Sequence, residues 1–243
     1  MLRNHKITIC YDGTDYYGWQ IQPQKRTIQG LLEQALYHFK SKRIPVIGAG
    51  RTDAGVHAAG QTAHFKADLS LPMDELLNAI NGNLPPDIRV IKVESADKDF
   101  HSRKQARSKI YQYRIFNAPE ITPFDIRYVL HHPSPLNLQK MKEAASLFIR
   151  KGDFTSFSSN QLRYPVKKII RSEIKKKGKE LIYTVEADGF LKYMVRAMVG
   201  ALITVGREKM SPENIETLFK QKKRTPQIPT ASAKGLCLIK VKY

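Results

Sequence analysis

The chain has 243 residues and a mass of 27.8 kDa, enough to bury a core without a disulfide or metal staple. It carries 41 Lys and Arg against 22 Asp and Glu, a formal charge of +19, while hydrophobic residues make up an ordinary 42%. Its two cysteines, Cys10 and Cys237, are too few and too far apart for a zinc finger, an iron–sulfur cluster or a disulfide scaffold. We therefore expect a folded protein in a reducing setting, the cytoplasm, with a polyanion as its partner.

Neither export nor membrane insertion is indicated. The N-terminal residues 1–10 alternate in polarity and lack the continuous apolar core of a secretory signal. The longest apolar stretch, residues 197–206, is about half of what a membrane crossing requires. The positive charge is spread through the chain instead of lying beside one amphipathic helix, which favours nucleic acid over a membrane surface.

The first half of the chain alternates strand and helix patterns. Apolar residues at helical spacing follow Thr27, a good N-cap, and predict the first helix through Phe39. A second helix is predicted through Met73 and Ile80, with Gly82 as its end. Strands are predicted over residues 5–11, 44–49, 61–67, 88–93 and 109–116, giving the order β-α-β-β-α-β-β.

The second half opens after a proline-rich stretch, residues 117–136, which predicts a boundary between domains 1–117 and 137–243. Asn137 begins a predicted helix, residues 190–205 form a more apolar one, and Ser211-Pro212-Glu213 begins another. A strand pair is predicted near Ile169 and over 181–187, and a last strand over 236–243. The interleaved order predicts the α+β class, with helices layered on a mixed or antiparallel sheet.

The segment Gly50-Arg51-Thr52-Asp53-Ala54-Gly55 is the first candidate for chemistry. Its two glycines bracket an Arg and an Asp, so the backbone can turn tightly and a ligand can approach closely. A catalytic acid could be displayed in this way. An Asx-turn with Asp53 bonded to its own backbone and Arg51 solvated is the structural alternative, and spacing alone does not decide between them.

Positive charge gathers in three patches that suggest RNA contact, although solvated faces are the ordinary role of such runs. Tyr111 and Tyr113 lie beside the first patch and could stack on unpaired bases, although strand tyrosines more often pack in a core. Arg196 lies among apolar helix residues and needs a partner there, so a structural ion pair competes with a catalytic one. The patches are Arg103, Lys104, Arg107 and Lys109; Lys167, Lys168, Arg171, Lys175–Lys177 and Lys179; and Lys220, Lys222, Lys223 and Arg224.

Several common motifs are missing from the sequence. It has no G-x-x-x-x-G-K-S/T loop, no strand-G-x-G-x-x-G-helix unit and no H-E-x-x-H, which removes the signatures of NTPases, dinucleotide enzymes and zincins. His131 and His132 are adjacent, and we interpret them as loop residues rather than metal ligands. No metal site is predicted.

Six motifs along the chain together resemble the TruA family of tRNA pseudouridine synthases. The loop and its continuation, residues 50–58, resemble the family signature, and further matches extend from end to end. They are Tyr11-Asp12-Gly13-Thr14 with Gly18-Trp19-Gln20; Thr27-Ile28-Gln29 with Leu32-Glu33; Lys109-Ile110-Tyr111-Gln112-Tyr113; Phe190-Leu191 with Met194-Val195-Arg196 and Val199-Gly200; and Gly235-Leu236 with Val241 and Tyr243.

The resemblance implies an enzyme that isomerises uridine to pseudouridine in tRNA, without a redox or metal cofactor. By the same matching, Asp53 is the catalytic carboxylate, as nucleophile or base, Arg196 pairs with Asp53, and Tyr111 stacks on the target base. Arg51 would help to hold the flipped nucleotide. The family also implies two ferredoxin-like halves flanking a central RNA-binding cleft, with helices on one side of the sheet, and a homodimer.

Departures from the family pattern concern the substrate more than the reaction. The family's usual target, uridines near positions 38 to 40 of the tRNA anticodon stem-loop, is the expected target here. Extra positive charge at Lys104 and Lys192 could reshape the RNA path, so ribosomal RNA is an alternative. A noncatalytic RNA-binding protein of the same fold is a second alternative, and a DNA-binding protein a third, although no recognition helix stands out. The departures are Ser102-Arg103-Lys104-Gln105-Ala106 for A-R-F-S-A, Lys192-Tyr193 for Tyr-Asn, Ser232 for Pro and Cys237 for Tyr.

Overall fold

The computed structural model describes residues 2–159 and 164–243, and these form two compact units. The first unit runs to Arg107 and takes in Leu238–Tyr243, and the second is Ser108–Cys237. No α-helix in the described ranges is long and apolar enough to cross a bilayer. Helices and strands interleave along the chain, which confirms the predicted α+β class.

The first unit contains two helices and an antiparallel sheet with the strand order β4-β1-β3-β10, to which β2 adds beside β3. Strand β1 is central, and its Ile7 lies opposite Ala63 of β3 and Val93 of β4. The elements are β1 Arg3–Tyr11, α1 Ile28–Lys40, β2 Ile47–Gly48, β3 His57–Ala67, α2 Met73–Gly82, β4 Ile88–Ala96 and β10 Leu236–Lys242, of which residues from Leu238 belong to this unit.

Helix α1 begins where the sequence predicts. The side-chain oxygen of Thr27 accepts a hydrogen bond from the Gly30 amide at 3.4 Å, satisfying one of the amides that the first turn leaves free. Ile28, Leu32 and Leu36 recur at helical spacing, and each is at most 1% exposed. Burial of this stripe places the helix against the core of the first unit.

The described residues of the second unit form three α-helices and a sheet with the order β5-β9-β8-β7, while β6 pairs with β5 in parallel. Helix α4 is almost wholly buried, and Asn137 caps α3 through the Lys140 amide. The elements are β5 Ser108–Phe116, β6 Leu130–His131, α3 Leu138–Ser146, β7 Lys151–Asp153, β8 Val166–Lys177, β9 Glu180–Ala187, α4 Met194–Gly206 and α5 Asn214–Gln221.

The boundary between the compact units lies earlier than the predicted one at residues 117–136. Strand β5 belongs to the second unit because it pairs with β9 from Lys109 opposite Ala187 to Phe116 opposite Glu180. The proline-rich stretch therefore lies inside that unit. The division into domains 1–117 and 137–243 as functional halves, and their arrangement as ferredoxin-like halves around a cleft, stay predictions.

Several predicted element ends are wrong. Strand β2 spans only Ile47–Gly48, and β3 begins at His57 instead of residue 61 because Ala58 already pairs with Tyr11. Helix α2, by contrast, ends at Gly82 as predicted, with Asn83 as the C-cap. Residues before α5 form a turn, Asn214 N donating to Ser211 O at 3.2 Å, so that helix begins three residues after the predicted cap.

Two further local predictions are wrong in the second unit. Helix α4 begins at Met194 rather than residue 190, because Tyr193 adopts the left-handed conformation with φ of 62° and ends the preceding turn. His131 lies in the short strand β6 rather than in a loop, and its Nε2 is 2.8 Å from the Ala118 carbonyl oxygen.

Candidate active site

The loop that carries Asp53 connects β2 to β3 in the first unit, and hydrogen bonds hold its first residues against β3. Ala49 N donates to Thr62 O at 2.7 Å, and the Gln61 side-chain amide donates to Gly50 O at 3.0 Å. Inside the loop, Val56 N donates to Asp53 O at 3.1 Å and closes a turn. The loop is therefore fixed against β3 rather than loosely attached.

A second segment, residues 12–19, packs on this loop and holds its backbone. Trp19 N donates to Thr52 O at 3.1 Å, and Gly55 N donates to Tyr16 O at 3.2 Å. Gly18 has φ of +85°, and a Cβ there would lie 2.6 Å from Thr52 O. Only glycine combines this backbone conformation with so close an approach.

Side chains complete the support of the loop. The Tyr11 hydroxyl is 2.9 Å from the Thr52 hydroxyl in a buried hydrogen bond. Gly13 N donates to His57 Nδ1 at 3.1 Å, where β3 begins. A Cβ at Gly13 would meet the Val56 carbonyl oxygen at 2.1 Å, so this glycine too is required by a close backbone contact.

The loop displays its two chemically interesting side chains differently. Arg51 is exposed, Thr52 between the two is buried, and Asp53 is half-buried. A half-buried carboxylate on a braced loop remains accessible to a ligand while its position is restrained. This placement suits a residue that must meet a reacting group.

Tyr111 and Tyr113 lie on β5 in the second unit, and both are buried, at 7% and 0% exposure. The ring of Phe190 meets the Tyr111 ring edge-on, with centroids 5.1 Å apart. Tyr113 donates its hydroxyl to Ser232 O at 2.8 Å, and burial raises the pKa of this phenol, with Arg196 opposing the shift. Tyr113 is thus a core residue, whereas Tyr111 keeps a small exposed edge.

Arg196 lies near the start of α4 and is held by the chain segment that precedes the last strand. Its Nε donates to Ala231 O at 2.7 Å, and Ala231 N donates to Arg196 O at 3.0 Å. The guanidinium lies over the Tyr193 ring, 5.0 Å from its centroid. A Cβ at Gly200, one turn further, would lie 1.8 Å from Pro229 O, so the helix and this segment are in tight contact.

The structure therefore brings Arg51 and Asp53 together on one loop of the first unit, and places Tyr111 and Arg196 in the second unit. Sequence reasoning from the residues did not find the support of the loop by Gly18 and Trp19. The Gly18-Trp19-Gln20 match carried that signal. No sequence pattern indicated that the Ala231 carbonyl would hold Arg196, because a backbone acceptor can belong to any residue type.

Comparison with known proteins gives a consistent result. A family profile described as tRNA pseudouridine synthase matches residues 7–103 and 144–243. A solved structure of a Cbf5–Nop10–Gar1 complex aligns over 82% of this chain and 54% of its own, at 10% identity and a TM-score of 0.34, too low to support any argument.

Curated relatives match over their whole length. The chain is 42% identical to tRNA pseudouridine synthase A of Thermodesulfovibrio yellowstonii, covering 99% of both chains. It is 42% identical to the protein of the same name from Geobacillus kaustophilus, covering 100% of this chain and 95% of the relative, and 40% identical to that of Solibacter usitatus, covering 100% of both. The loop at residues 50–58 and helix α4 lie in the ranges that the profile matches, and β5 falls between those ranges but is covered by the full-length relatives; this chain belongs to the tRNA pseudouridine synthase family.

Proposed function

We propose that the protein is a tRNA pseudouridine synthase, an isomerase that converts uridine to pseudouridine. The observation that carries this conclusion is the match to relatives of that name over 99% of both chains at 42% identity. The charge of +19 fits an RNA substrate, since basic side chains that neutralise phosphates supply much of the affinity for nucleic acid. Neither a noncatalytic binding protein nor a ribosomal RNA enzyme is favoured by these relatives.

The reaction breaks the N1–C1′ bond of uridine, turns the uracil and rejoins it to the ribose through C5. Atoms are conserved overall, because C5 loses a proton when it is bonded to C1′ and N1, whose bond to C1′ was broken, gains one. We assign the catalytic carboxylate to Asp53, which acts either by adding to the nucleoside or as a base. Its half-buried place on a braced loop supports the assignment, because catalysis requires a reacting group to be held in position.

The remaining roles divide between the two units. We propose that Arg196 pairs with Asp53 in the active enzyme and favours its ionised form. The Ala231 carbonyl oxygen, 2.7 Å from Arg196 Nε, supports this role because it fixes the guanidinium and leaves its outer nitrogens to other partners. Tyr111, backed by Phe190, stacks on the target base, and the exposed Arg51 holds the extruded nucleotide.

The target and the assembly follow from the family resemblance. We propose uridines near positions 38 to 40 of the tRNA anticodon stem-loop as the substrate, in the cytoplasm, with a homodimer as the working form. The two halves would flank the RNA between them, as the resemblance implies.

Incubation of the purified protein with an unmodified tRNA transcript carrying uridines at positions 38 to 40 tests this proposal, with each pseudouridine mapped afterwards. We expect pseudouridine at these positions without added cofactor. Mapping total RNA from cells with and without the protein separates the alternatives. Modification confined to ribosomal RNA would overturn the tRNA assignment, and RNA binding without any modification would overturn the enzymatic one.

A further inference from the structure

Four basic residues at the end of helix α5 differ in how they are held. Lys220, Lys222 and Lys223 are exposed, whereas Arg224 is half-buried. We call Lys220, Lys222, Lys223 and Arg224 the α5 basic cluster. Long cations on a surface are usually solvated, so the feature that needs an explanation is the partial burial of Arg224.

Neutral groups hold the Arg224 guanidinium. Its Nη2 donates to the Thr230 hydroxyl at 2.9 Å, and its Nη1 makes a long contact of 3.5 Å with Ser156 O. Burial lowers the pKa of this guanidinium, and in residues 2–159 and 164–243 no carboxylate offsets that shift. Desolvating a cation costs free energy when no anion accompanies it, so an anion that bound to Arg224 would offset that cost.

Hydrogen bonds also fix the backbone that carries the α5 basic cluster. Lys223 N donates to the Ser156 hydroxyl at 3.0 Å, and that hydroxyl donates to Leu218 O at 2.6 Å. Ser156 has 0% exposure, so both bonds are shielded from water at this end. Lys222 turns the chain in the left-handed conformation, with φ of 47°, two residues before Arg224. Arg224 is therefore presented by a rigid turn.

The chain segment that anchors Arg224 also anchors Arg196. Thr230, which anchors Arg224, directly precedes Ala231, and Ala231 exchanges two hydrogen bonds with Arg196. Adjacent Cα atoms are about 3.8 Å apart, so the two arginines are attached to neighbouring residues of one short segment.

We infer that Arg224 binds a backbone phosphate of the RNA substrate, next to the nucleotide that reacts, with the lysines of the α5 basic cluster adding charge around it. The inference rests on the proposed function for the position of that nucleotide. Within residues 2–159 and 164–243, two of the five N–H groups of Arg224 are used, which leaves a fork for a phosphate. A phosphate would be an anion that offsets the desolvation cost of this guanidinium.

Binding of an unmodified tRNA transcript to the full-length protein, measured across salt concentrations, tests this inference. For Arg224→Gln we expect about tenfold weaker binding and a salt slope smaller by about one. Arg43→Gln is the matched control: Arg43 is exposed, paired with Glu33 and outside the three basic patches, so removing the same charge there should leave the slope unchanged. Arg224→Lys should keep the slope and lose part of the affinity, because lysine lacks the fork.

The structural role of Arg224 is tested separately. Thr230→Val removes the anchor without removing the charge, and we expect it to weaken binding with the salt slope kept. An unchanged slope in folded Arg224→Gln, with only the melting temperature lowered, would overturn the inference. Should that variant not fold, an unchanged affinity in both Arg224→Lys and Thr230→Val would do the same. Pseudouridine formation by the wild-type protein on the same transcript reports on the proposed function independently of these slopes.

Discussion

Gly18 and Thr52 are in contact so close that a Cβ on Gly18 would lie 2.6 Å from the Thr52 carbonyl oxygen. The next residue, Trp19, donates its amide to that same oxygen at 3.1 Å. Because Thr52 directly precedes Asp53 in the chain, this contact fixes the backbone next to the proposed catalytic carboxylate. The position of Asp53 thus depends on a glycine more than thirty residues earlier in the chain.

Gly18→Ala should destabilise the protein and displace the loop. The left-handed backbone and the clash with Thr52 together should cost about 2 kcal/mol or more in the free energy of unfolding. Pseudouridine formation should fall further than stability explains, since the loop moves. Gly82→Ala is the control, because a Cβ at Gly82 meets nothing within 4 Å. Denaturant unfolding measures the effect on stability, and kcat and KM measure the effect on activity. A Gly18→Ala protein as stable and active as wild type would show that the contact with Thr52 does not position the loop.

Arg196→Lys keeps the positive charge and loses the Nε hydrogen bond to Ala231 O, which is 2.7 Å long. The ammonium should be poorly placed, and kcat should fall about 100-fold with tRNA affinity nearly unchanged. Arg207→Lys is the matched control, since Arg207 is exposed at the other end of α4. If the lysine variant retained full kcat, the fixed guanidinium would have no part in the reaction.

Tyr111 can be tested as a stacking residue by two substitutions of similar bulk. Tyr111→Phe keeps the aromatic face and the packing on Phe190, whereas Tyr111→Leu keeps only apolar volume. We expect the Phe variant to remain within a few-fold of wild-type kcat/KM, and the Leu variant to lose about tenfold or more, consistent with about 1–3 kcal/mol for stacking of one base. The opposite ranking would indicate that the hydroxyl acts in the reaction instead.

Stability should depend on pH through His64. Burial, aided by His101 and Lys66, lowers the pKa of His64 to about 4 from the usual value of about 6.5. Between these values the unfolded chain binds more protons than the folded one, so stability falls as the pH drops from about 6.5 toward 4. The loss should be on the order of 2 kcal/mol.

Unfolding at several pH values checks this dependence. His64→Gln should flatten the curve in that window at some cost in stability, because the hydrogen bond to Ser102, 2.9 Å long in the wild type, is perturbed. His38→Gln, an exposed position, should leave the curve unchanged. A His64→Gln curve parallel to that of the wild type would show that other groups cause the acid sensitivity.

Local patterns predicted the elements well wherever local physics determines them. Thr27 caps α1 and Asn137 caps α3 because each cap needs only a side-chain oxygen and an amide a few residues later. Tyr193 is a position where local sequence patterns failed to predict the end of an element. Its left-handed conformation moves the start of α4 from residue 190 to Met194, and nothing in the propensity of tyrosine indicates it.

The candidate site divides in the same way. The two glycines around Asp53 indicate a displayed acid, but its role came from the family resemblance. The contact of Gly18 with Thr52 and the bond from Arg196 to Ala231 depend on tertiary packing between distant parts of the chain, which spacing does not encode. Spacing likewise does not encode the pairing of β5 with a strand about 70 residues later, which places β5 in the second compact unit.

The activity of Asp53→Asn on an unmodified tRNA transcript tests the central claim most directly. The amide keeps the size of the side chain and removes the charge, so pseudouridine formation should fall by at least about 1,000-fold while the Kd for the transcript stays within about threefold. Asp74→Asn, an exposed carboxylate in the first turn of α2, should leave both quantities unchanged. Turnover by Asp53→Asn within tenfold of the wild type would contradict the assignment of the catalytic carboxylate.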